Sequence, residues 1–353
     1  MRTKKGILVL GVIVAMVLTV SSFVLGLEKV LFVVPRPSVD VFDDVALVVA
    51  SKMGYFAEEG IEVEWKGSAG GTDCTKLVAT GAAQFGYPSE GVMLWSVVEG
   101  MDIMNVYQVD QINVFNFGMK PGSGIKEIKD LKGKTIALGS MAWKPICDPI
   151  LKAGGLNPDT DVKYVQIDAR AQAVLQGKAD ACLTWEMEWQ LWEDQGIKLD
   201  IIVGRKYFET HGNCFCASRK LVQENPALIE KVLRGVTKGI VFATTNPAAG
   251  AEIVLDMFPK LAANVSWKAA VENVRICTQE VKNSKYTKEH GFGWAATDLW
   301  AKVEEEMINS KGLDPAKKVD VNTFITNQFI ESANKFDHDA IVKQANEYQL
   351  KSH

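Results

Sequence analysis

The residues of this chain that can do chemistry are placed in a way that suits holding a molecule better than changing one. Four His, at 211, 290, 338 and 353, share no short spacing, six Cys (74, 147, 182, 214, 216 and 277) form no CxxC, and no HExxH occurs. A zinc centre needs three or four such ligands close together, so neither a metal nor a cofactor is expected. No Ser/His/Asp arrangement or phosphate loop can be placed, which counts against an enzyme. What remains is a set of aromatic, hydroxyl and carboxyl groups in short turns, the means of noncovalent recognition.

Four turns carry that set. Phe42 and Asp43 end a Pro-containing loop at 35–43. Ser68, Gly71 and Thr72 belong to SAGGT at 68–72, whose small side chains let backbone N–H groups reach a polar ligand atom. YPSE at 87–90 offers Tyr87 for stacking on a flat ligand, Ser89 as a helix cap and Glu90 at the start of that helix. GSMAW at 139–143 supplies Ser140, Met141 and Trp143. Each also reads as an ordinary turn or cap, so its place among the elements has to decide.

Those elements alternate. Strand patterns at 29–34, 61–65, 84–87, 134–138, 162–167, 180–183 and 199–203 are separated by helical patterns at 43–59, from 72, from 90, and at 143–153, 170–176 and 186–195. This is the rhythm of an α/β protein with mostly parallel sheets. Ligands of such sheets collect beyond the carboxyl ends of strands, where the four turns fall. One more strand is expected near 212–218, and from Asn225 the chain reads as helical, with Asn225-Pro226 and Asn246-Pro247 marking helix starts. Trp185, Trp189 and Trp192 share one helix face by their spacing. Trp189 and Trp192 are read as packing, whereas Trp185 ends a strand directly before Glu186. Cys214 and Cys216 point to the same side of a strand and are read as buried packing.

Length and composition bound the class. The chain has 353 residues, 47% hydrophobic and 23% charged, enough for a sizeable core and for two domains. Lys+Arg 39 against Asp+Glu 43 gives a net charge of -4, with no basic block after the first five residues, so no nucleic-acid partner is expected. Residues 6–26 hold no charge and follow Arg2, Lys4 and Lys5. A secretory signal at 1–26 is expected, an uncleaved anchor being the alternative. Either places the body in the periplasm or outside the cell. Six Cys in an exported chain of this length are too sparse for a disulfide framework.

Local strings then carry a resemblance: MGYFAEEGIEV at 53–63, LVATGAAQFGY at 77–87, IKDLKGKTIAL at 128–138 and NPAL at 225–228. In this order the chain resembles the periplasmic solute-binding proteins of ABC importers, in the branch that takes nitrate, sulfonates, taurine and thiamine or flavin precursors. The resemblance implies an α/β type II periplasmic-binding-protein fold, the Venus flytrap, with two lobes joined by two hinge strands and a helical C-terminal tail. It divides the chain into 27–118 (first part of lobe 1), 119–213 (lobe 2) and 214–353 (return to lobe 1 and tail), with hinge strands at 114–119 and 213–217.

A finer likeness sits at GNCFCA, 212–217, which is similar to the Cys-rich strand of fungal thiamine-pyrimidine synthases and of pyrimidine-precursor binders of the same fold. The synthases' central His and Lys have no counterpart that can be placed here, since no His precedes His211. The resemblance adds Trp185 and Glu186 as an aromatic–acid pair in the cleft, makes Trp143 its opposing wall, and brings in Asp110 and Asn113 at the first hinge. It implies a monomer whose partners are a small-molecule ligand and an ABC permease with its ATPase. Aromatics near the turns, few cations and no Arg clamp favour a flat heterocycle, such as a thiamine pyrimidine or flavin precursor. A sulfonate, taurine or nitrate binder is the alternative within the fold. Beyond it stand a synthase-like enzyme and a membrane-anchored sensor ectodomain.

Overall fold

The computed structural model describes residues 26–39, 41–309 and 312–351. The expected export signal, Gly26 excepted, lies outside the described residues. Two five-stranded sheets organise the rest. The first takes β1 (Glu28–Val34), β2 (Ile61–Gly67), β3 (Phe85–Gly86), β4 (Ile103–Gln108) and β10 (Cys214–Ser218) in the order β2-β1-β3-β10-β4. The second takes β5 (Phe115–Met119), β6 (Lys134–Leu138), β7 (Val162–Gln166), β8 (Ala181–Trp185) and β9 (Asp200–Val203) in the order β7-β6-β8-β5-β9. This is the two-lobed α/β fold of the type II periplasmic-binding proteins, with a helical C-terminal extension.

Strand position explains strand composition. β1 lies between β2 and β3, parallel to both, and its Val30, Phe32, Val33 and Val34 are all buried, as an inner parallel strand requires. β2 is an edge strand and alternates, with Ile61 and Val63 inward and Glu62 and Glu64 outward. The helical pattern at 43–59 is two helices, Val45–Lys52 and Tyr55–Glu58, because Gly54 takes a left-handed φ of 82° between them.

Both hinge strands expected from the sequence belong elsewhere. β5 pairs antiparallel with β8 and β9, so 115–119 is built into the second sheet and does not span the lobes. β10 pairs antiparallel with β3 and β4 inside the first sheet. The chain crosses between sheets in the non-strand segments 109–114 and 207–213 instead. The lobe boundary near 118 therefore moves back to before Phe115. Both strands are buried apolar runs that read alike in either sheet, and periodicity does not name a strand's partner.

The C-terminal helices close the molecule. Asn225 and Asn246 cap the helices Pro226–Thr245 and Pro247–Met257, their side chains accepting from Leu228 N at 3.2 Å and Ala249 N at 3.0 Å. Helix Thr297–Asn309 reaches both lobes: its Trp300, Val303 and Met307 share one buried cluster with Val33 of the first sheet and Phe117 and Ile136 of the second. Trp300 is wholly buried and donates through Nε1 to Gln108 Oε1 at 3.1 Å. On the opposite side, helix Trp267–Asn283 packs on helix Glu186–Asp194 of the second lobe. There Asp194 accepts from the Ser266 backbone N–H at 2.9 Å and from its hydroxyl, at the end where free N–H groups favour an anion.

Helix Pro226–Thr245 lies against Val45–Lys52 at Gly239, where an added Cβ would stand 2.2 Å from the Ala46 carbonyl oxygen. Backbone cannot swing aside as a side chain can, so Gly239→Ala forces the helices apart. The expected loss is about 1–3 kcal/mol, the usual cost of overpacking. Calorimetric melting of the purified variant checks it, and an unchanged melting temperature would contradict this packing.

Candidate functional site

Between the two sheets lies a cavity of about 640 Å³. The ends of β1, β3 and β4 frame it from the first lobe and those of β6 and β8 from the second, as the strand-end rule for α/β sheets requires. Asp43 enters from the loop after β1, Gly71 and Thr72 from the start of helix Gly71–Ala79, Tyr87 and Ser89 from the turn after β3, and Asp110 from the segment after β4. Across from them stand Ser140 and Trp143 after β6, and Trp185 and Glu186 at the end of β8. The structure thus brings ten of the expected residues to one cavity, although they span more than a hundred positions of sequence.

Its two walls differ in chemistry. On the second lobe, Trp143 and Trp185 meet edge to face, their ring centroids 6.0 Å apart at 81°. Glu186 is ion-paired with Arg205. On the first lobe, Asp110 Oδ2 accepts from the Asn213 backbone N–H at 2.9 Å, and Oδ1 from the Tyr87 hydroxyl at 3.4 Å. Burial pushes the Asp110 carboxyl up to about 7, with the Asn213 N–H pulling it down and Asp43 pushing it further up. Asp43 is raised by burial against the pull of Arg36, and burial takes Asp44, the ion-pair partner of Arg36, up to about 6. Burial alone would lower the Arg36 guanidinium, but Asp44 and Asp43 outweigh it and hold it high.

Five expected residues do not reach the cavity. Phe42 is 2% exposed and packs in the first-lobe core, because the turn from loop to helix swings it inward. Ser68 is buried too; its hydroxyl bonds the carbonyls of Val34 at 2.8 Å and Gly70 at 3.0 Å and so shapes the turn. Glu90 is buried and accepts from the Thr210 hydroxyl at 2.5 Å, tying the first lobe to the returning crossing. Asn113 donates to the Phe208 carbonyl at 3.0 Å and accepts from Phe115 N at 2.9 Å, joining the two crossings to each other. Met141 is 44% exposed at the surface.

Other groups enter the cavity without having been expected. Arg36 and Lys76 line it, so the first lobe does bring cations, and Asp73 adds a carboxylate. Arg36 sits in the Pro-containing loop, where a basic residue just after a buried strand was a usable signal. Phe115 comes from β5, and Ile240, Ile276 and Cys277 come from the C-terminal helices. No local motif marks those, since an amphipathic helix does not say which site its apolar face will cover. Cys214 and Cys216 are wholly buried in β10, and Trp192 packs with Val174 and Cys182 away from the cavity.

A cleft at strand ends between two lobes, each contributing one wall, is the small-molecule site of a flytrap-type fold. Residues 42–250 match the family described as NMT1/THI5 like, and the chain belongs to that family. It is 25% identical over 295 residues to the riboflavin-binding protein RibY of Chloroflexus aurantiacus, covering 80% of this chain and 81% of the relative. To the 4-amino-5-hydroxymethyl-2-methylpyrimidine phosphate synthase of Legionella pneumophila it is 23% identical over 227 residues, 61% of this chain and 70% of the relative. Among solved structures, the periplasmic aliphatic sulphonate binding protein SsuA of Escherichia coli superposes with a TM-score of 0.66 at 16% identity, covering 85% of this chain and 92% of that one. The chain thus shares its family and its two-lobed fold with binding proteins and with pyrimidine phosphate synthases alike.

The raised Asp110 carboxyl has a consequence for stability. Near pH 3 it is protonated in the folded chain and largely so in the unfolded one. As pH climbs toward 7 the unfolded chain ionises first, so its contribution to folding stability falls across that window. Asp110→Asn keeps an acceptor for Asn213 N and removes the charge. The variant should gain melting temperature relative to the parent at pH 7.5 and lose most of that gain by pH 4.5, read by calorimetry on ligand-free protein. An equal difference at both pH values would exclude the mechanism.

Proposed function

We propose that the protein captures a flat, uncharged heterocycle of about flavin size between its lobes, in the periplasm or outside the cell, and hands it to the permease. A signal at 1–26 would export it, and the crossings 109–114 and 207–213 would serve as its hinge. The observation that carries this reading is the pairing of an aromatic wall, Trp143 and Trp185, with a facing edge of hydroxyl and carboxyl groups from Tyr87, Ser89, Asp43 and Asp110. A ring system can stack on the first while its N–H and O–H groups meet the second. A volume of about 640 Å³ suits a drug-sized ligand and is more than nitrate or taurine can fill. The likeness to a riboflavin-binding relative supports the same class.

A ligand that touches both walls has more contacts in the closed form than in the open one, and so shifts the population toward closure. The packing of helix Trp267–Asn283 on Glu186–Asp194, with Asp194 on Ser266, would help to hold a closed arrangement. A sulfonate reading has Arg36 and Lys76 in its favour. Against it, Arg36 is taken up by Asp44, and Asp43, Asp73, Asp110 and Glu186 surround the cavity. An anion placed there meets more negative than positive groups.

A thermal-shift screen of the purified protein against riboflavin, the hydroxymethyl aminopyrimidine of thiamine, taurine and nitrate tests the reading. Stabilisation that grows with the concentration of a heterocycle is expected. Trp143→Ala and Trp185→Ala should each weaken that ligand about tenfold, near 1.4 kcal/mol, by calorimetric titration. A response confined to taurine or nitrate would overturn the heterocycle, and an undiminished affinity in both variants would overturn the wall.

A further inference from the structure

The second lobe holds a buried cation directly behind the aromatic wall. Arg170 opens helix Arg170–Leu175 and is 5% exposed. Its guanidinium carbon lies 4.8 Å from the ring centroid of Trp143, 5.2 Å from that of Trp185 and 5.6 Å from that of Trp192. One terminal nitrogen donates to the Leu183 carbonyl and the other to the Glu188 carboxylate. Nε has no hydrogen-bond partner among the described residues, so that edge of the fork is held by rings and not by oxygen atoms. Glu188 also accepts from the Thr184 hydroxyl at 3.1 Å, and burial pushes its carboxyl up to about 7 against the pull of Arg170.

Room for this assembly depends on Gly139, where an added Cβ would stand 2.6 Å from the Trp143 ring and 3.4 Å from Arg170 Nε. Trp143 and Trp185 line the cavity and Arg170 does not. Whatever Arg170 does for a ligand, it does through those two rings. A buried guanidinium tolerates its desolvation only when paired and hydrogen-bonded, and here part of that compensation comes from ring π density. The rings consequently have less of that density to offer on the cleft side, and a second cation stacked there would meet a like charge at short range in a poorly screened region.

We propose that Arg170 is a positioning residue of the ligand site, holding Trp143 and Trp185 as one edge-to-face wall and biasing it toward neutral flat ligands over cationic ones. The proposal rests on the heterocycle reading of the cleft. Under it, Asp43 and Asp110 meet the N–H or O–H edge of a neutral ring and not a formal positive charge. A purely structural Arg170–Glu188 pair would fix the strand end after Leu183 and leave ligand selectivity untouched.

The test uses the full protein with Arg170→Gln/Glu188→Gln, which removes both buried charges together, and Arg170→Lys, which keeps the charge but loses the planar fork. Near-UV circular dichroism and Trp emission of the ligand-free proteins report the wall. Trp quenching by riboflavin and by N-methylquinolinium reports selectivity between a neutral and a cationic ring. The double variant should change the near-UV Trp bands and lower the preference for riboflavin over N-methylquinolinium at least fivefold. Arg170→Lys should alter the bands and weaken riboflavin while keeping the preference. Unchanged ligand-free spectra in both variants would overturn the positioning role, and an unchanged preference in the double variant would overturn the bias. If the double variant fails to fold by far-UV circular dichroism, Arg170→Lys decides: unaltered bands and parental riboflavin affinity would overturn the proposal. If the parent protein binds neither ring, the heterocycle reading fails with the bias that depends on it, while the ligand-free spectra still judge the wall.

Discussion

The constraint on which the rest depends is the joining of the two crossing segments at Asp110. Its backbone N–H donates to the Asn213 carbonyl at 3.0 Å, its carbonyl accepts from Gly212 N at 3.0 Å, and its carboxylate accepts from Asn213 N at 2.9 Å. Gly212 is needed there, since a Cβ would lie 2.7 Å from that of Asp110. Gln108 adds side-chain donations to the Gly212 and Asn213 carbonyls at 3.3 and 3.0 Å. Both passages between the lobes are thereby clamped side by side, and the clamping carboxylate is also part of the cavity surface. A ligand that bonds Asp110 acts on the group that sets how the two crossings lie.

The buried polar groups around this point form a graded series. Nearest the cavity, Asp110 and Tyr87 share a hydrogen bond; deeper, Glu90 accepts from Thr210; at the far side, His211 accepts from Ala296 N through Nε2 at 3.0 Å. Burial lowers the His211 imidazole to about 4, so it stays neutral and keeps an acceptor nitrogen for the C-terminal segment. Each of these bonds replaces water that burial has removed, and an unpaired polar group there would cost about 1–3 kcal/mol. The first lobe therefore presents a polar, hydrogen-bonded wall, while the second presents rings. On the proposed reading, this asymmetry would let one flat ligand be stacked from one side and read along its edge from the other.

Much of the fold was legible because strands and helices follow local rules. β6 is found at Lys134–Leu138, where the apolar alternation puts it, and the Asn-Pro pairs start the helices they mark. The hinge was not legible. 115–119 and 214–218 are apolar runs that would serve equally as crossings or as inner strands, and antiparallel pairing with β8 and β9, or with β3 and β4, depends on partners far away in sequence. The helix at 43–59 was read too long because a single glycine at positive φ divides it, a conformation that glycine permits without requiring it.

For the site, residue type and position after a strand were enough to place Asp43, Tyr87, Ser89 and Trp143 at the cavity, and the family resemblance added Asp110, Trp185 and Glu186, because strand-end turns of α/β sheets converge by geometry. They were not enough to orient Phe42, Ser68 or Asn113, whose neighbours in the chain face the cavity while they face the core or the crossings. Nor did they reveal Cys277 or the Arg170 cluster, since which helix covers the site and which rings gather on a buried guanidinium are decided by packing. Sequence alone determined which kinds of group stand at the strand ends. Tertiary structure decided which of them share one cavity, because side-chain direction and the pairing of distant strands are set by packing and not by local pattern.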